Sequence, residues 1–401
     1  MSHDHSNHSE LGLNETGLFD RRSLLKISAA AAGAAAISGF GETAANAASW
    51  SEKLGTLKIG YLPITDASPL LIAHGKGYFE SKGVNVAKPT LFRTWPSLAE
   101  AFAAKQVDVV HLLMPLALQL KFQAQQDIKV IAWNHTDGSA LTVAKSINSV
   151  TDLAGKTVAV PFWYSIHNVV LQQILRKNGL KAITSGDANA SKKEVKLVVL
   201  APADMPAALA SGKVSGFIVA EPFNALAEIN GIGKVLRFSG DVWRDHACCV
   251  TVVRGDLIKE NPDAAQIIVD SIAKAQLWLI GNRQNAAQYL SNYLPQAIPA
   301  INKALTDYSS SYNGTAIQHP EWKNERIGFQ PFPYPSYTTE LVKQLRLTTV
   351  DGDASWLNKI DLKTVHANLV NGKLAESSVT RLGGFVAFGQ KKNVRAETIA
   401  P

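Results

Sequence analysis

Between Leu57 and Val253 short apolar runs with a two-residue period alternate with stretches of helical spacing, and this alternation constrains the fold more than any other feature of the 401-residue chain. Leu57-Lys58-Ile59-Gly60-Tyr61-Leu62 reads as a strand that ends at Pro63, and Asp66, Ser68 and Pro69 then suit a helix start over Leu70–Ala73. The pattern recurs. Trp95-Pro96-Ser97 opens a helix before the apolar strand Val107–Leu113. Lys156–Val160 is a strand followed by a loop over Pro161–Ser165 and a helix over Ile166–Lys177, with Gly179 as its stop. Lys196–Leu200, Asp204–Leu209 and Val214–Val219 give a further strand, helix and strand. Strands joined by crossover helices form parallel sheets covered on both faces, and such sheets gather their ligands beyond the carboxyl ends of the strands. The loops to watch are therefore Pro63–Ser68, Leu91–Trp95, Met114–Leu116, Trp133–Ser139, Phe162–His167 and Ala220–Phe223. Pro262–Leu290 reads as long and helical, Gln330–Pro335 as a non-helical linker, and residues 385–401 as a weakly ordered tail.

The amino terminus points to export. Phe19-Asp20-Arg21-Arg22-Ser23-Leu24-Leu25-Lys26 has the form of a twin-arginine signal, and the apolar run Ile27–Phe40 behind it is shorter than the roughly 20 residues that span a bilayer. Ala45-Asn46-Ala47 supplies a small-residue site, so cleavage is expected before Ala48, giving a periplasmic chain and a passing partnership with the Tat translocase. Loss of residues 1–47 takes three of the 40 basic and five of the 33 acidic side chains, leaving 354 residues with 37 against 28. No run of like charges is long enough for a nucleic-acid arm, so no nucleic-acid partner is expected, and the diffuse positive field favours small anionic solutes. His3, His5 and His8 leave with the leader.

The two cysteines are the neighbours Cys248 and Cys249, so a chain this long relies on its core and not on a disulfide framework. The pair has three readings: a strained ring disulfide, a soft-metal site with His246 that is one ligand short of tetrahedral zinc, or two small buried apolar groups. The sequence holds no Gly-x-Ser-x-Gly, His-Glu-x-x-His or phosphate-loop motif. No catalytic residue, metal or cofactor is assigned on sequence grounds.

The runs Lys58–Pro69, Gly77-Tyr78-Phe79, Gly83–Val86, Gln106–His111, Asp152–Thr157, Glu221–Ala225 and Asp241–His246, in that order, resemble the solute-binding proteins of ABC importers. The branch they resemble is the nitrate/sulfonate/bicarbonate group, of NMT1/THI5-like type. The resemblance implies an α/β, two-lobed periplasmic binding protein of type II, with a mostly parallel sheet in each lobe and a ligand cleft between the lobes. It places lobe 1 at residues 54–142 plus 247–345, lobe 2 at 143–246, and a C-terminal helical extension and tail at 346–401. It also implies a monomer that captures a small organic or anionic solute, from a class including sulfonates, nitrate, bicarbonate and pyrimidine precursors. Delivery would be to an ABC permease and ATPase in the inner membrane. A thiol- or metal-dependent pyrimidine-precursor enzyme on the same scaffold, or a sensory ligand-binding protein, are the alternatives.

Carried over by position, the resemblance puts Ser68, Trp95, Ser139, Trp163, Tyr164, Ser165, His167, Glu221 and Cys249 in the ligand cleft. Trp95 would be an indole wall and donor, and His167 a donor at a helix N-terminus that attracts anions. Three positions depart from the nitrate pattern. Ser139 stands for a glutamine, Trp163-Tyr164 replaces glycines, and His246-Ala247-Cys248-Cys249 replaces a run ending in lysine. These changes predict a solute larger than nitrate or bicarbonate, with a flat or apolar face that stacks on aromatic rings.

Overall fold

The computed structural model describes residues 55–307, 310–322 and 325–401, and the expected leader at residues 1–47 lies outside them. Two sheets organise the chain. The first has the order β2 (Thr90–Leu91), β1 (Ile59–Tyr61), β3 (Val109–Leu113), β12 (Cys249–Arg254), β4 (Ile128–Trp133). The second has the order β11 (Lys234–Phe238), β6 (Ser139–Val143), β10 (Gly216–Ala220), β7 (Thr157–Val160), β9 (Glu194–Val199), β8 (Lys181–Ile183). A short pair, β5 (Thr136–Asp137) with β13 (Ile327–Gly328), sits beside the crossing between them.

Each sheet is parallel except for one strand, and in both sheets that strand belongs to a crossing of the chain. β12 runs antiparallel to β3 and β4, and β6 runs antiparallel to β10 and β11. The chain leaves the first sheet after Trp133, enters the second at Ser139, leaves it after Phe238 and returns at Cys249. The first crossing thus falls a few residues before the lobe limit read from the sequence. It turns sharply because Asp137 and Gly138 both take the left-handed region, at φ of 60° and 78°. A Cβ on Gly138 would come within 3.0 Å of His135 Nδ1 and 3.2 Å of Ile327, so glycine is required there on two counts.

The strands read as buried because they are. Every residue of β3 and β10 is buried, as expected of strands covered by helices on both faces. His111, in the middle of β3, is carried into this core. The expected long helix is two, Pro262–Gly281 and Arg283–Leu290, separated at Asn282. The first buries Ala264, Ala265, Ile268, Val269, Ile272 and Leu279 on one face and packs on the helices Ser68–Gly75 and Gly372–Arg381. Gln276 on the same helix donates to the carbonyls of Trp133 at 2.9 Å and Asn134 at 2.7 Å, which fixes the first crossing to the core. Among the described residues no helix is long and apolar enough to cross a membrane.

The expectation of a loose tail is corrected. Residues 395–401 lie along the second crossing: Trp243 Nε1 donates to Glu397 at 2.8 Å, the Arg244 amide to the Thr398 carbonyl at 3.0 Å, and the Ala400 amide to the Val242 carbonyl at 2.8 Å. Arg395 lies over the Trp133 and Tyr334 rings, 5.2 and 4.4 Å from their centroids. Composition alone suggested disorder, and the specific partners Trp243 and Tyr334 overrode it.

Arg326 ties the second sheet to the segment beyond it. Its buried guanidinium meets Glu221 at 2.6 Å, Asp307 at 3.2 Å, the Tyr312 hydroxyl at 2.5 Å, and Glu228 as well. Burial pushes the Glu221 carboxyl up from its ordinary value, and Arg326 acts against that shift. Removing one partner from such a network strands a buried charge, so Arg326→Ala is expected to cost about 3–5 kcal/mol in urea unfolding; a loss below about 1 kcal/mol would mean that the network is solvated. Burial also drives the His111 pKa down to about 3, with His135 adding to the effect. The unfolded chain therefore takes up a proton near pH 6.5 that the folded chain refuses. Stability should fall as pH drops below about 6.5, by roughly 1.4 kcal/mol per pH unit from this group. The gap between unfolding free energies at about pH 7 and about pH 5 should narrow in His111→Leu, with His246 and His366 keeping part of it, and an undiminished acid slope would show that His111 does not contribute to it.

Candidate functional site

The loops at the carboxyl ends of the strands converge on one buried polar cluster at the junction of the two sheets. Asp66 lies in the turn Thr65–Ala67 after β1, and His135 lies between β4 and β5 in the first crossing. Ser139 opens β6, and His167 is the second residue of the helix Ile166–Lys177 after β7. Cys248 and Cys249 lie where the second crossing enters β12. All six side chains are buried, with at most 2% of any residue exposed.

Asp66 Oδ2 lies 2.9 Å from His135 Nε2 and 3.6 Å from Cys249 Sγ. The two sulfurs are 3.6 Å apart, far beyond the roughly 2.05 Å of a disulfide bond, so both cysteines are free thiols in this structure. Cys248 Sγ also lies 3.9 Å from His167 Nε2, and the same nitrogen is 2.9 Å from Ser139 Oγ. His135 Nδ1 faces the Thr136 carbonyl at 3.4 Å, and its Nε2 is 3.2 Å from the Cys249 amide nitrogen. Thr251 donates to Asn134 at 2.6 Å, which steadies the backbone between these groups.

The cluster sets its own charges. Burial raises the Asp66 pKa to about 6, against the pull of His135. For His135 burial acts downward, but the Asp66 carboxylate outweighs it and raises the imidazole to about 10. Burial opposes ionisation of Cys248, yet its contact with Cys249 and the nearby His167 and His135 hold it well below the usual thiol range. Burial and the adjacent Cys248 push Cys249 the other way. Burial and the neighbouring groups thus push the two thiols in opposite directions and set the Asp66 carboxyl against His135 in a buried site. Buried polar atoms around it that lack hydrogen-bond partners include Asp66 Oδ1, His167 Nδ1 and Trp95 Nε1.

The nine residues expected in the cleft separate into groups. Ser139, His167 and Cys249 are in the cluster. Trp95 is the first residue of the helix Trp95–Ala103, capped by Thr94, and its ring lies 6.0 Å from that of His111. Ser68 donates to the Thr65 carbonyl at 2.5 Å within its own turn. Ser165 caps the helix Ile166–Lys177 by accepting from the Asn168 amide at 3.1 Å. Tyr164 turns toward the C-terminal segment: its hydroxyl donates to the Asp353 carbonyl at 3.1 Å, accepts from Trp356 Nε1 at 3.1 Å, and its ring packs on Trp356. Trp163 beside it is partly buried, and its carbonyl accepts from Asn168. Tyr164 therefore does not provide the stacking surface expected of it. Glu221 is engaged by Arg326 and the Ala225 amide, and its carbonyl accepts from the Thr65 amide at 2.8 Å, next to Asp66.

Asp66, His135 and Cys248 are the members that the sequence reading did not place in the cleft. The loops of Asp66 and His135 were flagged, but Asp66 reads locally as a helix cap and His135 has no motif around it, while Cys248 was read only as one of a cysteine pair. His246, which one of the three readings of the cysteine pair joined to it, is buried at a pKa lowered to about 4, first by burial, and is not in the four-residue donor group of Asp66, His135, Cys248 and Cys249.

Comparison with known proteins agrees with this architecture. Residues 51–292 match the model of the NMT1-like family. The nitrate/nitrite binding protein NrtA of Nostoc is 29% identical over 242 residues, which cover 55% of this chain and 53% of that protein. The chain spans about half the length of the curated relatives it matches. Among solved structures, the periplasmic nitrate-binding protein NrtA of Synechocystis superposes with a TM-score of 0.70 at 19% identity, covering 86% of this chain and 93% of that one. The ligand-binding component of an ABC-type import system from Staphylococcus aureus, solved with zinc bound, superposes with a TM-score of 0.65 at 23% identity, covering 80% and 98%. The fold is that of the periplasmic binding proteins, and the chain belongs to the NMT1-like family.

Proposed function

We infer that this chain is the solute-binding component of an ABC importer and holds a small solute in the cluster between its lobes. The observation that carries the reading is the convergence itself: Asp66 and the cysteines come from the first sheet's side, Ser139 and His167 from the second, and His135 from the crossing. A solute gripped by both sides stabilises the closed arrangement over the open one by its differential contacts, which is how such a clamp signals occupancy. The relatives lend the transport context, since one is by name a nitrate/nitrite binding protein and one structural neighbour a component of an ABC-type import system. In this reading an inner-membrane permease and ATPase receive the solute, the mature chain works as a periplasmic monomer, and no catalytic step is assigned to it. Ser139, His167 and Cys249 are the expected site residues that take part in the grip, with Trp95 behind them. Ser68, Ser165, Glu221, Trp163 and Tyr164 shape the loops.

Two measurements test this. Replacing Arg21 and Arg22 with Lys should leave unprocessed precursor in the cytoplasm, whereas normal recovery of chain beginning at Ala48 from the periplasm would contradict the export assignment. In X-ray scattering, a panel of nitrate, bicarbonate, an alkanesulfonate and divalent metal salts should contain a solute that lowers the radius of gyration of the wild type. The same solute should have no effect on the Ser139→Ala/His167→Ala double variant. An unchanged profile across the whole panel would contradict the clamp.

A further inference from the structure

The side chains that converge at the lobe junction are unlike a cradle for an oxyanion. Asp66, His135, Cys248 and Cys249 each offer one donor atom, and these four atoms lie within 4.8 Å of one another, fully buried. Around a tetrahedral zinc ion, bonds of about 2.3 Å to sulfur and about 2.0 Å to nitrogen and oxygen put the donors roughly 3.3–3.8 Å apart. The structure already has 3.6 Å between the sulfurs, 3.6 Å from Cys249 Sγ to Asp66 Oδ2 and 2.9 Å from His135 Nε2 to Asp66 Oδ2. The groups are thus close to the required spacing before any ion enters.

The surroundings fit as well. His135 turns Nδ1 toward the Thr136 carbonyl, as a ligating imidazole is usually held, and Nε2 toward Asp66 and the Cys249 amide, a contact that an entering ion replaces. Asp66 Oδ1 is buried and has no hydrogen-bond partner, so the carboxylate has unused acceptor capacity in the site. Two sulfurs and one imidazole select against calcium and magnesium, which need six or more oxygens or near-octahedral oxygen geometry. Once an ion is held, the set would carry two thiolates and a carboxylate, a charge that suits a divalent cation. His167 Nε2, 3.9 Å from Cys248 Sγ, and its partner Ser139 close over the site from the second lobe.

We propose that the junction takes a thiophilic divalent cation of the zinc type through Asp66, His135, Cys248 and Cys249, and that this cation is the solute on which the clamp closes. The proposal rests on the solute-binding reading and narrows it. The ion binds as the free cation or an exchangeable aqua complex, and the thiols and imidazole release their protons to solvent as it enters.

Titration of the full chain with Co2+, kept reduced with a phosphine, tests it. The expected result is a near-ultraviolet thiolate charge-transfer band and the intense visible bands of tetrahedral Co2+, saturating at one ion per chain and bleached by Zn2+. His3, His5 and His8 at the amino terminus cannot produce the thiolate band. Cys248→Ser and Cys249→Ser should each lose it, while His246→Asn keeps it. If a serine variant does not fold by circular dichroism, the wild type still decides: Zn2+ should slow alkylation of both cysteines under native conditions. Absence of the charge-transfer band in folded, reduced wild type, or its persistence in both folded serine variants, overturns the site. Metal binding without a change in radius of gyration overturns the cation as the clamp's solute. Closure on nitrate or a sulfonate with no response to Co2+ or Zn2+ overturns this proposal and leaves the importer reading standing, whereas closure on nothing defeats that reading instead.

Discussion

Taking the Asp66 carboxylate out of water is the constraint that the rest of this structure is arranged to meet. A buried carboxylate with no partner costs several kcal/mol or gives up its charge. Here the charge is kept by His135, which can reach it only because the chain crosses between sheets just after β4 and turns tightly through Asp137 and Gly138. Gln276 holds that crossing to the longest helix, and the C-terminal residues 395–401 strap the second crossing, which delivers Cys248 and Cys249. The site is therefore made of the connections between lobes more than of either lobe.

Two buried charge centres sit on either side of the turn Thr65–Ala67, and they serve different ends. The Arg326 network fixes Glu221 and, through the Glu221 carbonyl, the backbone of Thr65. Lys303 shares Asp307 and Glu228 with the guanidinium, so the network's acidic groups are paired and it is a structural joint. The Asp66–His135–Cys248–Cys249 centre gathers four donor atoms in one buried place, with the two thiols pushed in opposite directions. The first makes the second possible by holding still the loop that carries Asp66.

Most of the architecture was legible in the sequence, because period-two runs such as Leu57–Leu62 and apolar runs such as Val107–Leu113 survive as β1 and β3, and Ser165 stands where a helix cap belongs. The antiparallel strands β6 and β12 were less visible as topology, since a buried strand looks alike in either direction. Of the site, Ser139, His167 and Cys249 were legible by position, and Asp66 and His135 only by their loops. Asp66 and His135 stand 183 and 114 positions from Cys249, with no spacing to connect them, and only the crossings bring them together. The direction of the Tyr164 ring was hidden for a related reason. Its loop was right, but Trp356 and Asp353, far along the chain, decide where its ring goes. The tail misled in the same way, as its anchor Trp243 carries no local signal of that role.

The central claim is that the first sheet's loops and the crossings bring together one buried donor set built for a soft cation, with Ser139 and His167 of the second sheet beside it. The most direct measurement is an anomalous difference map at the zinc absorption edge, from crystals of the reduced protein grown with one equivalent of Zn2+. The account predicts a single strong peak between the lobes, about 2.3 Å from both sulfurs and about 2.0 Å from His135 Nε2 and an Asp66 oxygen. A map with both sulfurs free of metal, or with its zinc peak at surface histidines alone, would contradict it.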